Sequence, residues 1–436
     1  MVVALSACER PFVDVSQPDV VILSPDLAEV LETPQFALRL RAGSFRNIDM
    51  VTVNGMAMEY SSQDRVWSLP LRANRGLNQL ILEARDVEGI TSIDTAYALH
   101  MPVQFVANSP ALPAGRAGHS TTRTPDRDII VIGGASHEGG PGHTTIYILT
   151  YPGSGFLASS TRLREARTGH TATLLHDGRI LVVGGSRADN INSVADLVEE
   201  PEVFDPKTET VRTWVVIGEP IRRALHTAVY RRTDDADYVD LYGGLGDTRY
   251  GNEPYLGVRA DLRTFRIQED TLVAENSLAT APYLGSAIYG HTLNRIQIGP
   301  YYVFGGRFES NFQEEASFSI EYNASLGLLL DDVPPLHIPR TRHAAAPFLN
   351  NLLFISGGHQ YPASSIVTGA EFFSQTSETM FRLSRQPLIF PRFGHTATAT
   401  DHGEVLIIGG FGPDGTAQAA SEFFVILPGG PQEQSL

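Results

Sequence analysis

The sequence predicts an all-β fold in which one small β module precedes a longer array of repeats. Three observations support this prediction. The chain of 436 residues contains 40 Gly and 27 Pro, together about 15% of the residues against about 12% in average usage. Short apolar runs separated by turn residues fill the first hundred residues. Beyond them, a pattern that joins a His to a Gly-Gly pair recurs about every 50 residues.

The small module is indicated by a hairpin signal and two further strand-like runs. The run 51–53 leads into Asn54-Gly55, which favours a tight turn because Asn and Gly tolerate positive φ angles. A strand-like run then ends near Pro70, and a longer alternating run covers 76–86. These features resemble the immunoglobulin-like β-sandwich modules of bacterial extracellular enzymes and adhesins. The resemblance implies a spacer or stalk, with a binding module in its own right as the alternative.

The repeats are the strongest signal in the chain. The distance from the His to the first Gly is 14 residues in five cases and 17 in the third, and successive pairs lie 51, 59, 62, 52 and 52 residues apart. Five of the six His residues follow an Arg by three positions, and Tyr289-Gly290 interrupts this pattern in the fourth repeat. The His residues and their glycines are His119 with Gly133 and Gly134, His170 with Gly184 and Gly185, His226 with Gly243 and Gly244, His291 with Gly305 and Gly306, His343 with Gly357 and Gly358, and His395 with Gly409 and Gly410. The Arg residues are Arg116, Arg167, Arg223, Arg340 and Arg392.

After the loop that follows Gly-Gly, four repeats continue with an acidic residue and aromatic residues, as in Glu371-Phe372-Phe373. This order resembles the kelch repeat, most closely that of bacterial and galactose-oxidase-like proteins, and the resemblance covers about 103–427. It implies one four-stranded sheet per repeat, arranged as the blades of a six-bladed β-propeller. The His and Arg residues are then expected to hold hydrogen bonds between blades, with neutral imidazoles. The segment 102–107 is expected to complete the sixth blade.

The single cysteine, Cys8, excludes an intrachain disulfide and any Cys-based zinc or iron–sulfur site. Leu5-Ser6-Ala7-Cys8 resembles the lipobox of bacterial lipoproteins. The resemblance implies a lipid on Cys8 and a place in the bacterial cell envelope, at the outer membrane, periplasmic or surface-facing. The preceding residues are too few for a signal peptide, so we expect a start further upstream or a trimmed chain. The alternative is a chance cysteine.

The predicted organisation is therefore an N-terminal segment over 1–17, an immunoglobulin-like β-sandwich over 18–101, a propeller over 102–430 and a tail over 431–436. The net charge of −16, from 33 basic and 49 acidic residues, argues against sequence-independent binding to nucleic acid.

No metal, cofactor or catalytic residue is expected. Cys8 lies outside the predicted propeller, so the Tyr–Cys cofactor of galactose oxidase cannot form, and no nucleophile elbow, zinc-protease or phosphate-loop motif occurs. The predicted function is thus a non-catalytic, lipid-anchored propeller that binds a partner protein of the envelope. The candidate partner-binding residues lie in loops after Gly-Gly pairs, at Arg249, Tyr250, Tyr255, Arg307, Phe308 and Phe312.

Alternatives stay open at three points. The loops that carry these residues are equally consistent with simple coverage of the blade edges. The rival function is a carbohydrate-binding protein, or a carbohydrate-active enzyme similar to sialic acid mutarotases, that uses the mouth of the propeller. Such a site would gather Arg, Glu and an aromatic residue around the channel, whereas a scaffold would show an apolar patch. His137 and His143 have a spacing compatible with a surface metal site.

Overall fold

The computed structural model describes residues 17–44, 46–107, 109–150, 153, 155–250, 253–275, 287–296, 300–308, 319–323, 328–330, 333–349, 351–360, 365–401 and 403–427. For 249–250, 253–254, 319–323 and 328–330 it describes the backbone alone. The chain divides into two compact units. The first comprises Met1–Gln104 with the segments Phe372–Gln386 and Ile426–Leu436, and the second comprises Phe105–Glu371 and Pro387–Val425.

The N-terminal part of the first unit consists of two four-stranded sheets. Its strands are β1 Asp19–Ser24, β2 Gln35–Gly43, β3 Ile48–Val53, β4 Met56–Ala57, β5 Glu59–Ser61, β6 Val66–Arg72, β7 Gly76–Asp86 and β8 Thr91–His100. One sheet has the order β1-β2-β6-β5 and the other β4-β3-β7-β8. Leu38 and Trp67 of the first sheet lie in one apolar cluster with Val51 and Leu82 of the second. The two sheets therefore share one core.

The predicted hairpin is confirmed at the start of the second sheet. Val53 pairs with Met56, and the two turn residues Asn54 and Gly55 have φ angles of 48° and 76°. Positive φ at both central residues is what a type I′ turn requires. The Asn54 side chain also accepts a hydrogen bond of 2.7 Å from the backbone N–H of Ile81, which fixes the turn against β7.

The repeats contain the remaining strands. They are β9 Val103–Val106, β10 Ser120–Arg123, β11 Ile129–Ile132, β12 His143–Leu149, β13 Leu157–Arg167, β14 Thr171–Leu174, β15 Ile180–Val183, β16 Glu202–Asp205, β17 Thr210–Thr213, β18 Val215–Ile217, β19 Arg223–Ala224, β20 Thr227–Arg232, β21 Asp237–Tyr242, β22 Leu245–Tyr250, β23 Glu253–Val258, β24 Leu262–Gln268 and β25 Thr271–Ala274. They continue with β26 Ile288–Tyr289, β27 Thr292–Arg295, β28 Tyr301–Phe304, β29 Arg307–Phe308, β30 Ser319–Asn323, β31 Leu328–Leu330, β32 Ala344–Phe348, β33 Leu352–Ser356, β34 His359–Gln360, β35 Ser365–Ile366, β36 Ala370–Ser374, β37 Thr379–Leu383, β38 Thr396–Ala399, β39 Val405–Ile408 and β40 Ser421–Ile426. One short 3₁₀ helix spans Val194–Asp196.

Each repeat supplies one sheet, antiparallel apart from the added strand β18 in the third, and its inner strand begins directly after the motif His. The orders are β10-β11-β12-β13, β14-β15-β16-β17, β18-β25-β24-β21-β20, β27-β28-β30-β31, β32-β33-β36-β37 and β38-β39-β40-β9. The last order confirms that the segment before the first repeat adds the fourth strand of the sixth sheet. Smaller pairings are β19-β22-β23, β26-β29 and β34-β35.

The strand that ends at Gly-Gly is buried along its whole length in every repeat but the third, where β21 is buried from Val239 onward. Continuous apolar runs predict this burial, because such strands are covered on both faces. The third repeat departs from the others because β20 and β21 have six residues each. This longer inner hairpin accounts for its wider His-to-Gly spacing. The β22–β23 hairpin is an insertion between β21 and β24, and β18 adds a fifth strand that is parallel to β25.

Across the part of the chain that the structure describes, no helix is long and apolar enough to cross a membrane.

Candidate binding site at the centre of the repeats

The six motif His side chains form the same contact in almost every repeat. Each Nε2 lies within hydrogen-bond distance of a hydroxyl, and in five repeats this hydroxyl belongs to the residue that follows the motif His of the preceding repeat. The pairs are His119 with Thr396 at 3.0 Å, His170 with Ser120 at 2.9 Å, His226 with Thr171 at 3.2 Å, His291 with Thr227 at 2.9 Å and His343 with Thr292 at 2.9 Å. In the sixth case Ala344 occupies that position, and His395 contacts Ser356 instead at 3.2 Å.

Burial keeps these imidazoles neutral. It is the main cause that lowers the pKa of His119 and His291 to about 3, and at His119 the charge of Arg116 acts in the same direction. The other four have pKa values well below the ordinary value, again because burial disfavours the cation. Neutral imidazoles with Nε2 held by hydroxyls are suited to join neighbouring sheets, and they are poor proton donors or acceptors at neutral pH.

The Gly-Gly pairs pack directly against these imidazoles. A Cβ on the first glycine would stand 2.5–2.8 Å from Cε1 of the next repeat's His, and a Cβ on the second would stand 2.7–2.9 Å from Cβ of its own repeat's His, in all six cases. Contacts this short are not tolerated between carbon atoms, so no other residue fits without displacement. All twelve glycines also have positive φ, which glycine adopts without strain.

The motif Arg side chains hold the same carbonyl in each of the five repeats that have one. Nη1 donates to the first glycine of its own pair, over 2.5–3.2 Å. Three of the buried guanidinium groups pair with the carboxylate of the acidic–aromatic strand: Arg167 with Glu202 at 2.5 Å, Arg340 with Glu371 at 2.5 Å and Arg392 with Glu422 at 3.2 Å. Arg223 uses Asp261 at 3.0 Å, and Arg116 uses the Tyr147 hydroxyl at 3.0 Å.

A closed ring of backbone hydrogen bonds joins the residues that precede the motif His. Each N–H in this ring donates to the carbonyl of the previous repeat, over 2.7–2.9 Å, and the first repeat donates to the sixth. The ring consists of Gly118, Gly169, Leu225, Gly290, Arg342 and Gly394. All six have positive φ, and Leu225 at 55° and Arg342 at 52° are the two without glycine. A residue with a side chain adopts this region at a cost, so its presence calls for a reason.

A cavity of about 320 Å³ opens beside this ring. All six repeats line it, mostly with Gly, His, Thr and Ala residues at the starts of the inner strands. Asn294 also lines it, and its buried Nδ2 has no hydrogen-bond partner. Arg342 is the one Arg, Lys, Asp or Glu side chain among the described residues that line the cavity. The walls are therefore polar and almost uncharged.

Arg342 is held by an ion pair and by two aromatic rings. Its Nη2 lies 2.6 Å from Oδ1 of Asp189, and its Nη1 lies 3.4 Å from Oδ2. The guanidinium carbon lies 5.2 Å from the ring centre of Phe393 and 5.3 Å from that of Phe411, within the range of cation–π attraction. The side chains of Arg342 and Asp189 are 16% and 6% exposed. We call these four residues the mouth cluster.

Asp189 comes from the loop after the second Gly-Gly pair. Its backbone N–H donates to the carbonyl of Gly140 at 2.8 Å, and its Oδ2 accepts from the N–H of Gly139 at 3.3 Å. A strand that ends at Gly-Gly runs antiparallel to the inner strand that starts at the His. Loops after Gly-Gly and starts of inner strands therefore lie at the same end of the sheets, and this brings Asp189 to Arg342.

The residues predicted to bind a partner differ from one another in exposure. Tyr255 is 46% exposed on β23. Arg307 and Phe308 are half-buried on β29, and Phe308 packs against the apolar cluster of Tyr242, Ile288 and Val303. The side chains of Arg249 and Tyr250 and the whole of Phe312 lie outside the described residues, as does Cys8.

The possible metal site at His137 and His143 gains no further ligand. His143 begins β12 and is half-buried, and burial together with the charge of Arg116 lowers its pKa. His137 contacts the Ser136 hydroxyl at 3.3 Å. No group of three His, Cys, Asp or Glu side chains that could hold a metal ion occurs within the described part of the chain.

Sequence reasoning missed the mouth cluster, although one signal for it was present. Four motifs have glycine directly before the His, whereas the fifth reads Arg340-Thr341-Arg342-His343. A charged residue at a position that otherwise favours glycine marks a departure from the repeat. Asp189 lies in the loop 186–200, whose sequence departs from the repeat, but no pattern within that loop marks Asp189 itself.

No protein-family model matches the chain, and no curated protein matches it in sequence. Its structure matches 198 solved chains. One of them, YjhT, gives a TM-score of 0.54 at 14% sequence identity, over 73% of this chain and 99% of that one. At this identity the likeness concerns the fold alone, and it supports a β-propeller.

Proposed function

We propose that the repeats form a six-bladed kelch propeller that binds a small polar ligand of the carbohydrate class in its central cavity, without catalysis. The observation that carries this proposal is the cavity itself, which every repeat helps to line and whose walls present hydroxyl and amide groups. A volume of about 320 Å³ falls at the lower end of ligand sites, roughly 300–1,000 Å³.

Two closed rings of hydrogen bonds support six blades. The first is the ring that contains Gly118 and Arg342. In the second, the N–H of each second glycine donates to the carbonyl three residues before the next motif His, and Gly410 donates back to Arg116 at 2.7 Å. A ring that returns to its start after six members fits a propeller of six blades. We extend this proposal to the boundaries 18–101 for an immunoglobulin-like module and 102–430 for the propeller.

The polar groups of the cavity favour a carbohydrate over an apolar ligand. Asn294 presents a buried amide donor that makes no hydrogen bond, and a buried donor without a partner costs roughly 1–3 kcal/mol. Since this nitrogen is covered, a ligand hydroxyl would satisfy it once the Asn294 side chain turns towards the cavity. The mouth cluster adds an Arg that lines the cavity and, behind its guanidinium, a carboxylate and two buried aromatic rings. These are the residue types expected of a sugar site, with Asp in place of Glu.

The same residues argue against catalysis. Proton transfer in a transition state needs a group whose pKa lies near the working pH. The motif imidazoles have pKa values of about 3 or well below the ordinary value. Asp189, the carboxylate that contacts the lining residue Arg342, is committed to that ion pair. The described lining residues thus offer no acid–base pair.

The test is a glycan array with the full chain, followed by titration calorimetry of each hit. We expect saturable binding that Asn294→Ala weakens about tenfold, since the ligand loses its hydrogen bond with the amide. Asn74→Ala is the matched control, because Asn74 is exposed in the first unit, and it should bind as the unchanged chain does. Binding that is absent from the whole array, or that is unaffected by Asn294→Ala, would contradict the proposal.

A lipid on Cys8 that anchors the protein in the bacterial envelope, with the first unit as a spacer, is the accompanying proposal. It is supported by the lipobox-like Leu5-Ser6-Ala7-Cys8 and by the two-sheet core of the first unit. Intact mass of protein extracted from membranes tests it. A chain that begins at Cys8 without the mass of acyl groups would contradict the proposed lipidation of Cys8.

A protein partner is the second candidate function, and the inserted hairpin β22–β23 favours it. Hairpins of this kind extend a sheet beyond the common framework, and Tyr255 is 46% exposed there, as suits an interface residue. Capture of a partner from solubilised envelope should be lost in Tyr255→Ala. Retention of the same partner by that variant would remove this hairpin from the interface.

A further inference from the structure

The charge of the residues that line the cavity narrows the class of ligand that it can bind. The described lining contains one permanent charge, Arg342. That charge is already matched by Asp189, with contacts of 2.6 and 3.4 Å and only 6% of the Asp189 side chain exposed. The motif imidazoles are buried and held at Nε2 by hydroxyls. The described lining residues, taken together with Asp189, therefore carry no net charge at neutral pH.

An anionic ligand would have to break this arrangement. If it took the guanidinium of Arg342, Asp189 would be left buried without a counter-ion, which is strongly unfavourable. If it left the ion pair intact, its own charge would enter a site with no free cation among the described lining residues, and it would lie near the Asp189 carboxylate. Both routes disfavour a carboxylate or a phosphate relative to a neutral ligand of the same shape.

We infer that the cavity selects neutral polyhydroxylated ligands over acidic ones, and that Asp189 is the specificity-determining residue because it occupies Arg342. This inference rests on the proposed binding of a carbohydrate-class ligand. The role of Asp189 is to remove from the site the one cation that would otherwise attract an acidic sugar. The strained φ of 52° at Arg342 is then the cost of placing a neutralised pair at a ring position that favours glycine.

The inference predicts that two single charge changes shift the selectivity in opposite directions. Asp189→Asn keeps the shape of the side chain and an oxygen for the N–H of Gly139 but leaves Arg342 unpaired. Arg342→Gly restores the glycine found in four repeats and leaves Asp189 as an unpaired anion. The first variant should favour acids, and the second should exclude them more strongly than the unchanged chain does.

The experiment is titration calorimetry of the full chain with matched pairs of probes, glucose against glucuronic acid and galactose against galacturonic acid. For the unchanged chain we expect the neutral member of a pair to bind at least tenfold more tightly. Asp189→Asn should shift the ratio at least tenfold towards the acid, and Arg342→Gly should shift it the other way. Asp270→Asn is the control for net charge, since Asp270 is 51% exposed and pairs with Arg179 at 3.3 Å, and it should leave the ratio unchanged.

The outcomes separate the two proposals. Tighter binding of the acid by the unchanged chain, or a ratio that Asp189→Asn does not move, overturns the inference while carbohydrate binding stands. Binding of neither member of any pair by the chain and by Asp189→Asn removes the inference, and a blank glycan array then removes the proposed function as well. Thermal melting of each variant with and without the acids checks that the altered chains are folded. A melting rise with glucuronic acid only in Asp189→Asn supports the inference independently.

Discussion

Two sets of positions lie side by side at the centre of the repeats, and they differ in how strictly they repeat. The motif His residues pack against the Gly-Gly pairs in the same way in all six repeats. The ring position directly before the His has glycine in four repeats, but Leu225 in the third and Arg342 in the fifth. The first set is fixed because its contacts are made between neighbouring sheets with no spare room. The second can vary, and its one charged member lies at the opening of the cavity.

Acid should disrupt the contacts of all six motif His residues together, and this is the largest loss of stability that we expect. The folded state keeps six imidazoles neutral, with pKa values of about 3 or well below normal, whereas an unfolded chain protonates them near pH 6.5. The unfolded state thus binds more protons, and the stability present above pH 6.5 is lost as pH falls towards 3. Each imidazole contributes roughly 1.4 kcal/mol per pH unit in this window.

Urea unfolding between pH 7.5 and 5 measures this dependence. The slope should approach the uptake of six protons on unfolding at its lower end. A slope of two protons or fewer would mean that the imidazoles are charged in the folded state or are not buried as a set.

Removal of one charge from a buried pair should have the next largest effect. Burial alone would raise the pKa of Glu371, but hydrogen bonds from His337 and the charge of Arg340 lower it. Glu371→Gln leaves Arg340 buried without a counter-charge, and we expect a loss of roughly 3–5 kcal/mol. Denaturant unfolding at pH 7.5 measures it. The comparison is Asp177→Asn, an exposed partner of Arg179, where the loss should stay below about 1 kcal/mol.

The close contacts of the Gly-Gly pairs predict a smaller but specific loss. In Gly184→Ala the new Cβ would stand 2.3 Å from the Arg223 carbonyl oxygen, at a φ of 64°. We expect a cost of about 3 kcal/mol, from overpacking and left-handed strain together. Gly178→Ala is the matched control, since its φ is 89° with nothing within 4 Å, and it should cost only about 1 kcal/mol. Equal losses in the two variants would show that the contact with the neighbouring sheet is unimportant.

The imidazole of His395 offers the test with the smallest expected loss of stability. Ser356→Ala removes the hydroxyl that His395 contacts at 3.2 Å, and the buried Nε2 should then cost about 1–2 kcal/mol. Adding Ala344→Thr should restore most of that loss, because position 344 corresponds to the hydroxyl residues Thr292 and Thr396 of other repeats. Thermal unfolding of both variants decides the question. A double variant no more stable than the single one would mean that the repeat geometry is not interchangeable here.

The motif His residues and the Gly-Gly pairs were largely predictable from sequence, because they recur at a nearly constant spacing. The apolar runs predicted the buried strands, and the turn pair Asn54-Gly55 predicted its hairpin. The segment before the first repeat was predicted to complete the sixth sheet, and it does so as β9. Each of these follows from local pattern and from the need to pair strand edges.

The mouth cluster was beyond such reasoning. Arg342 and Asp189 are 153 residues apart, and only the arrangement of six sheets brings the loop after the second Gly-Gly pair to the start of β32. Phe308, predicted to bind a partner, is half-buried and packs against an apolar cluster, and its role in binding stays a prediction. Sequence patterns predict which strands are buried and where the chain turns. They carry little information on which loops meet at the end of a sheet.

The pairing of β9 with β40 has a consequence for synthesis of the chain on the ribosome. The two strands are separated by more than 300 residues, and at roughly 5–20 residues per second the second emerges about 15–60 s after the first. During that interval the backbone edge of β9 has no native partner, and an open edge invites pairing with other chains. The last sheet to be completed is therefore the one that contains the earliest strand of the repeats, and chaperones that shield nascent strands would act on this edge.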